Sequence, residues 1–115
     1  MTNETVVWTD SMREVLIKSV QRQECIWNFS NADYRNAAKK RQIFWDIAEE
    51  MSAIFGIPLK GTHTSRQWQH LRDQYRRAKR RMELSNVNGQ IKPWRFMQML
   101  KFTDATDIAE ANDPM

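Results

Sequence analysis

Residues 65–82 read SRQWQHLRDQYRRAKRRM, and the spacing inside this stretch decides the fold. Trp68, Leu71, Tyr75, Ala78 and Met82 recur at steps of three, four, three and four, which places them on one face of an α-helix. On a wheel of about 100° per residue, the opposite side carries Arg66, Gln69, His70, Asp73, Arg77 and Arg80, with Arg76 and Arg81 flanking it. Arg72 and Lys79 fall nearer the apolar stripe and are expected to be engaged within the molecule. One side therefore suits a core and the other is polar throughout. Thr62, Thr64 and Ser65 are candidate N-caps, and the helix is expected over roughly residues 62–83.

Outward from this helix, the same period recurs. Phe44, Ile47, Ala48, Met51, Ile54 and Phe55 form a stripe, with Trp45 at its edge, between Asn36 and Gly56. Gly56 is a natural residue for the left-handed turn that ends a helix, and Pro58 prevents continuation. Before it, Ser11-Met-Arg-Glu14 fits a capping box, and Val15, Leu16, Ser19 and Val20 follow at helical spacing to about Arg22. Cys25-Ile26-Trp27 is an apolar cluster that anchors a loop, and Asn28, Ser30, Asn31 and Asp33 after it favour turns. Past a loop at Ser85 to Lys92, Pro93 suits the first turn of a short fourth helix bearing Trp94, Met97, Leu100 and Phe102.

Every apolar cluster is thus placed on a helix, and no alternating segment is long enough for a sheet. The expected fold is all-α, a three-helix bundle with a short fourth C-terminal helix. A chain of 115 residues supports one such core and not two. Residues 1–10 read as an N-terminal tail, 11–102 as the domain and 103–115 as an acidic tail expected to be disordered. With only three Gly and three Pro, the chain lacks the frequent turns of a β-sandwich and the glycine pair of a phosphate-cradling loop.

Charge is concentrated. Residues 60–95 hold ten basic and two acidic side chains, whereas residues 1–59 sum to −1 and residues 96–115 to −3. A local excess of +8 beside an acidic tail points to a polyanionic partner. The lone Cys25 forms no internal disulfide and fits a reducing compartment such as nucleus or cytosol. No apolar run reaches the length of a signal sequence or a membrane span, so no membrane partner is expected.

Catalytic chemistry finds little support. Glu49-Glu50 and the tail acids lack a paired partner in a cleft, and Cys25 lies in an apolar cluster. Cys25, His63 and His70 lack the remaining ligands for a metal, so no metal site and no cofactor are expected. Arg on the third helix matches guanine O6 and N7, and Gln matches adenine N6 and N7, which is the chemistry of base reading in a major groove. The segment 76–81, Arg-Arg-Ala-Lys-Arg-Arg, also fits a nuclear-import signal.

Five segments in order carry a family resemblance: Leu16 to Val20; Cys25-Ile26-Trp27 with Tyr34; Phe44-Trp45-Asp46-Ile47-Ala48; Arg66 to Arg77; and Trp94 to Phe102. Over about residues 12–102 the chain resembles the MADF domain, a Myb/SANT-like group found in transcription factors. The strongest part is Trp68-x-x-Leu71-Arg72-Asp73-x-Tyr75-Arg76-Arg77. The resemblance implies a three-helix unit of helix-turn-helix kind that binds double-stranded DNA in the nucleus through its third helix. Trp27, Trp45 and Trp68 are similar to the tryptophan triad of Myb-like cores, and with Tyr75 and Trp94 they make the expected aromatic core. The expected DNA-binding set is Lys60, Thr64, Ser65, Arg66, Gln69, His70, Asp73, Arg76, Arg77 and Arg80. The competing reading is a protein-interaction module of a chromatin or transcription complex that binds an acidic partner. An exposed apolar groove around Trp94 and Phe96 would mark it. RNA binding has less support, since no exposed aromatic platform is legible in the sequence. No dimerisation segment of the BESS kind is seen, which leaves homo-oligomerisation open.

Overall fold

The computed structural model describes residues 6–84 and 93–104. Four α-helices follow one another: α1 (Asp10–Gln21), α2 (Glu24–Trp27), α3 (Ala37–Phe55) and α4 (Gly61–Leu84). A 3₁₀ turn at Lys101–Thr103 closes the described chain. The three helices expected from periodicity are α1, α3 and α4, and among the described residues there is no strand.

Helix α1 starts earlier than its capping-box signature indicates. Thr9 is the N-cap, its hydroxyl accepting from the Met12 amide at 3.2 Å, and Asp10 in the first turn complements the helix dipole. Glu14 does not turn back to cap Ser11; its carboxylate reaches Arg95 instead, at 3.3 Å. Met12, Leu16, Ile17 and Val20 sink into the core. Cys25 and Ile26 are buried on the single-turn helix α2. The Asn28 and Asn31 carboxamides then accept amides two residues on, from Ser30 and Asp33, so the polar run becomes the chain of turns its composition favours.

Helix α3 has the boundaries its sequence prescribes. The Asn36 side chain accepts from the Lys39 amide, and Gly56, at φ 70°, ends the helix in the left-handed region. Phe44, Ile47, Ala48 and Met51 are buried. Phe55, four residues beyond Met51, continues the stripe, and Ile54 is left 61% exposed, contrary to expectation. The Ser52 hydroxyl donates to the Ala48 carbonyl and accepts from the Leu59 amide at 2.9 Å, pinning the turn that leads into α4.

Helix α4 begins at Gly61, ahead of all three candidate caps. His63 does the capping: its Nδ1 accepts from the Lys60 amide at 2.9 Å, the role a Glu or Gln fills in a capping box. Thr64 is fully buried, and its hydroxyl lies 2.8 Å from the Phe44 carbonyl and 3.0 Å from that of Gly61. Trp68, Leu71, Tyr75 and Ala78 are buried as the period requires.

The C-terminal segment forms successive turns over residues 95–100 and then the 3₁₀ turn, in the place where the short fourth helix was expected. Phe96, Met97, Leu100 and Thr103 are its buried residues. Phe102 stacks on Trp68 at 6.2 Å and meets Trp27 edge-on at 5.0 Å. Tyr75 donates its hydroxyl proton to Asp104 at 2.7 Å, and Lys79 reaches the same oxygen at 3.0 Å. Thr103 and Asp104 are thus fixed, and residues 105–115 of the expected tail lie outside the described residues, as does the expected loop 85–92. At the other end, Val6 and Trp8, within the stretch read as a tail, pack against the core.

The aromatic core differs from the triad expectation. Trp68 (6% exposed) and Tyr75 (1%) are core residues, but Trp45 is 49% exposed. It follows Phe44 directly, about 100° further round α3, and so points off the buried stripe. Trp27 is half-buried, its indole N–H donating to the Gln21 carbonyl at 3.1 Å. Trp94 is half-buried against Phe96.

Two outcomes follow. In denaturant melts, Trp68→Ala costs about 3 to 5 kcal/mol, as for a buried aromatic, whereas Trp45→Ala costs about 1 kcal/mol. Equal losses would contradict this burial pattern. Burial opposes the ionised form of Asp104, but hydrogen bonds from Tyr75 and Lys79 and the charges of Lys79 and Lys101 outweigh it and hold its pKa below the ordinary 3.8. The stabilisation is therefore complete above that value and fades as pH falls through the lowered one. The stability gap between the native chain and Asp104→Asn is full near neutrality and closes in acid; a gap independent of pH would contradict the assignment.

Candidate nucleic-acid interface

With the apolar side of α4 in the core, Arg66, Gln69, His70, Asp73, Arg76, Arg77 and Arg80 stand exposed along its other side. Arg66, Arg77 and Arg80 have no acid within ion-pair distance among the described residues. Asp73 lies 4.0 Å from Arg76, an i, i+3 pair, and not on Arg77 as an i, i+4 partner. Lys60 is exposed at the entry to the helix, and Ser65 is half-buried on the flank facing α3. Thr64 is corrected out of the accessible set: its hydroxyl is buried and engaged by two carbonyls.

Neighbouring cations are engaged within the molecule. Arg72 lies over the Trp68 ring at 6.0 Å and Lys79 is paired with Asp104, as their place on the wheel indicates. Arg95 pairs with Asp10 at 3.4 Å and Glu14 at 3.3 Å, and the Arg13 Nε donates to Gln67 at 3.1 Å. The flank of α4 facing α1 and the C-terminal segment is accordingly neutralised.

The other flank keeps Lys40, which has no acid partner among the described residues. A cleft of about 300 Å³ brings Lys40 of α3 together with Ser65, Gln69, Arg72, Asp73 and Arg76 of α4. Lys40 sits 3.9 Å from the centre of the Tyr34 ring, has no acid partner among the described residues, and burial lowers its pKa. Sequence reasoning missed Lys40 and Arg41. Their signal was the run Arg35 to Arg41, concealed because acids elsewhere bring residues 1–59 to a net −1.

The surface sought for the competing reading is a concavity of about 300 Å³ that Trp94 and Phe96 line together with Asp10, Arg13, His70, Gln74 and Arg95, and Phe96 is only 4% exposed in it, so it is not an exposed apolar groove. Cys25 is buried, His63 is taken up in capping and His70 stands on the outward face. No three metal-ligating side chains gather among the described residues. No described helix is long and apolar enough to cross a membrane.

The bundle buries one side of the long basic helix α4 and leaves the other exposed, an arrangement compatible with a helix-turn-helix recognition helix. Residues 16–102 match the family model described as alcohol dehydrogenase transcription factor Myb/SANT-like, and the chain belongs to this MADF DNA-binding family. No curated protein and no solved structure matches the chain.

Proposed function

We propose that this domain reads duplex DNA as part of a nuclear transcription or chromatin regulator, with α4 in the major groove. The observation that carries the reading is the exposed outward face of α4, where Arg66, Arg77 and Arg80, without an acid partner among the described residues, stand beside Gln69. Family membership supports DNA as the partner and binding, not catalysis, as the activity. Arg66 and Gln69 lie toward the start of α4, the part of a recognition helix that meets base edges. Arg77 and Arg80 lie further along, where phosphates flank the groove, and Lys60 approaches the backbone from the preceding turn.

Selection from a random duplex library, followed by affinity measurements over a range of salt, tests this. With about four to six phosphate contacts, the log–log slope of affinity against salt is about −4 to −5. Arg66→Ala relaxes preference at one base pair by about 1 to 3 kcal/mol. Arg80→Ala weakens selected and scrambled duplexes alike and makes the slope shallower by about one unit. Equal losses for both variants on both duplexes would reduce α4 to an electrostatic handle, and no duplex binding at low salt would overturn the reading altogether.

A further inference from the structure

Beside the DNA-facing side of α4 runs a second and larger concavity. The first half of α3 and the start of α4 enclose a groove of about 850 Å³, against about 300 Å³ for the basic cleft next to it. Its lining is mainly apolar, from Ala37, Ala38, Phe44 and Trp45, with Lys40 and Arg41 among its polar members. The indole of Trp45, 49% exposed, is the large aromatic surface in that lining.

The indole is also held. A Cβ at position 61 would come within 3.1 Å of the Trp45 Cε3 and 3.2 Å of its Cα and backbone nitrogen, so the absence of a side chain lets α4 begin hard against Trp45. One edge of the ring is buttressed by backbone while half the side chain faces solvent. An aromatic group already fixed in place loses little freedom on contact, which is what makes a strong anchor.

Electrostatics selects the occupant. Neither Lys40 nor Arg41 has an acid partner among the described residues. The N-terminal end of the 24-residue helix α4, at Gly61 and Thr62, adds the positive end of its dipole to the same groove. A DNA duplex is too wide to enter such a groove and its phosphates offer Trp45 no apolar group. A peptide with an apolar side chain set among carboxylates satisfies both the lining and the charge.

We infer that this groove docks a short acidic segment of a partner protein, with one aliphatic or aromatic side chain against Trp45 and Asp or Glu carboxylates facing Lys40 and Arg41. The groove shares Lys40 and Ser65 with the basic cleft beside it, but its anchor Trp45 and Arg41 lie on α3, away from the outward face of α4 that carries Arg66, Arg77 and Arg80.

The test is selection by the full chain from a displayed library of peptides of about a dozen residues, enriched in Asp and Glu, then fluorescence polarisation of the selected peptide. The expected peptides carry an apolar residue flanked by acids. Their affinity falls about tenfold or more in Trp45→Ala and in Arg41→Glu, the loss expected of a central anchor. It is unchanged in Arg77→Glu, on the outward face of α4, and largely kept in Trp45→Phe. No selected peptide, or peptides indifferent to both Trp45 and Arg41, would overturn the inference. So would Trp45-dependent self-association in sedimentation, Trp45-dependent binding of single-stranded oligothymidylate, or a loss of duplex affinity in Trp45→Ala as large as in Arg77→Ala.

Discussion

The hydroxyl of Thr64, buried where α3 crosses α4 and 2.8 Å from the Phe44 carbonyl, sets the geometry on which the rest depends. A single neutral hydrogen bond contributes only about 1 kcal/mol net. Its importance is directional, because a side chain fully enclosed at the crossing fixes the rotation of α4 about its own axis. Trp68, Leu71, Tyr75 and Ala78 then face inward in turn, and Arg66, Gln69, Arg77 and Arg80 are left with solvent. Gly61, one turn earlier, allows the two backbones to approach closely enough for that bond to form.

The charge distribution follows from the same packing. Acids of α1 neutralise Arg95, and Asp104 takes up Lys79, so those cations are engaged within the molecule. Arg66, Arg77 and Arg80 of α4, and Lys40 and Arg41 of α3, have no acid partner among the described residues. This division explains how a chain of net charge +4 presents a strongly basic side. Surface pairs of this kind add little stability, and their main effect is to decide which arginines stay available to a polyanion.

Most of the fold was legible because α3 and α4 carry unbroken helical periods bounded by strong signals, Asn36 and Gly56 above all. The start of α1 was misread because Thr9 and Ser11 both fit a cap, and only the pairing of Glu14 with Arg95, far apart in sequence, separates them. Pro93 suggested a helix, but burial of Phe96 with Met97 and Leu100 is met by turns. Trp45 was misassigned because tryptophan spacing says nothing of rotation about α3, where one residue's step moves a side chain out of the core. In the site, the outward row of α4 was readable from the wheel alone. The burial of Thr64 and the arrival of Lys40 were not, since both depend on how α3 meets α4.

In the function proposed above, packing leaves one side of α4, and not another part of the bundle, to meet DNA. Chemical-shift mapping during titration with a selected duplex tests it most directly. The account predicts that the largest changes fall on Arg66, Gln69, His70, Arg77 and Arg80, with Leu16 and Ile17 in the core of α1 unmoved. Changes concentrated on α1 and the C-terminal turns, with the outward residues of α4 silent, would contradict it.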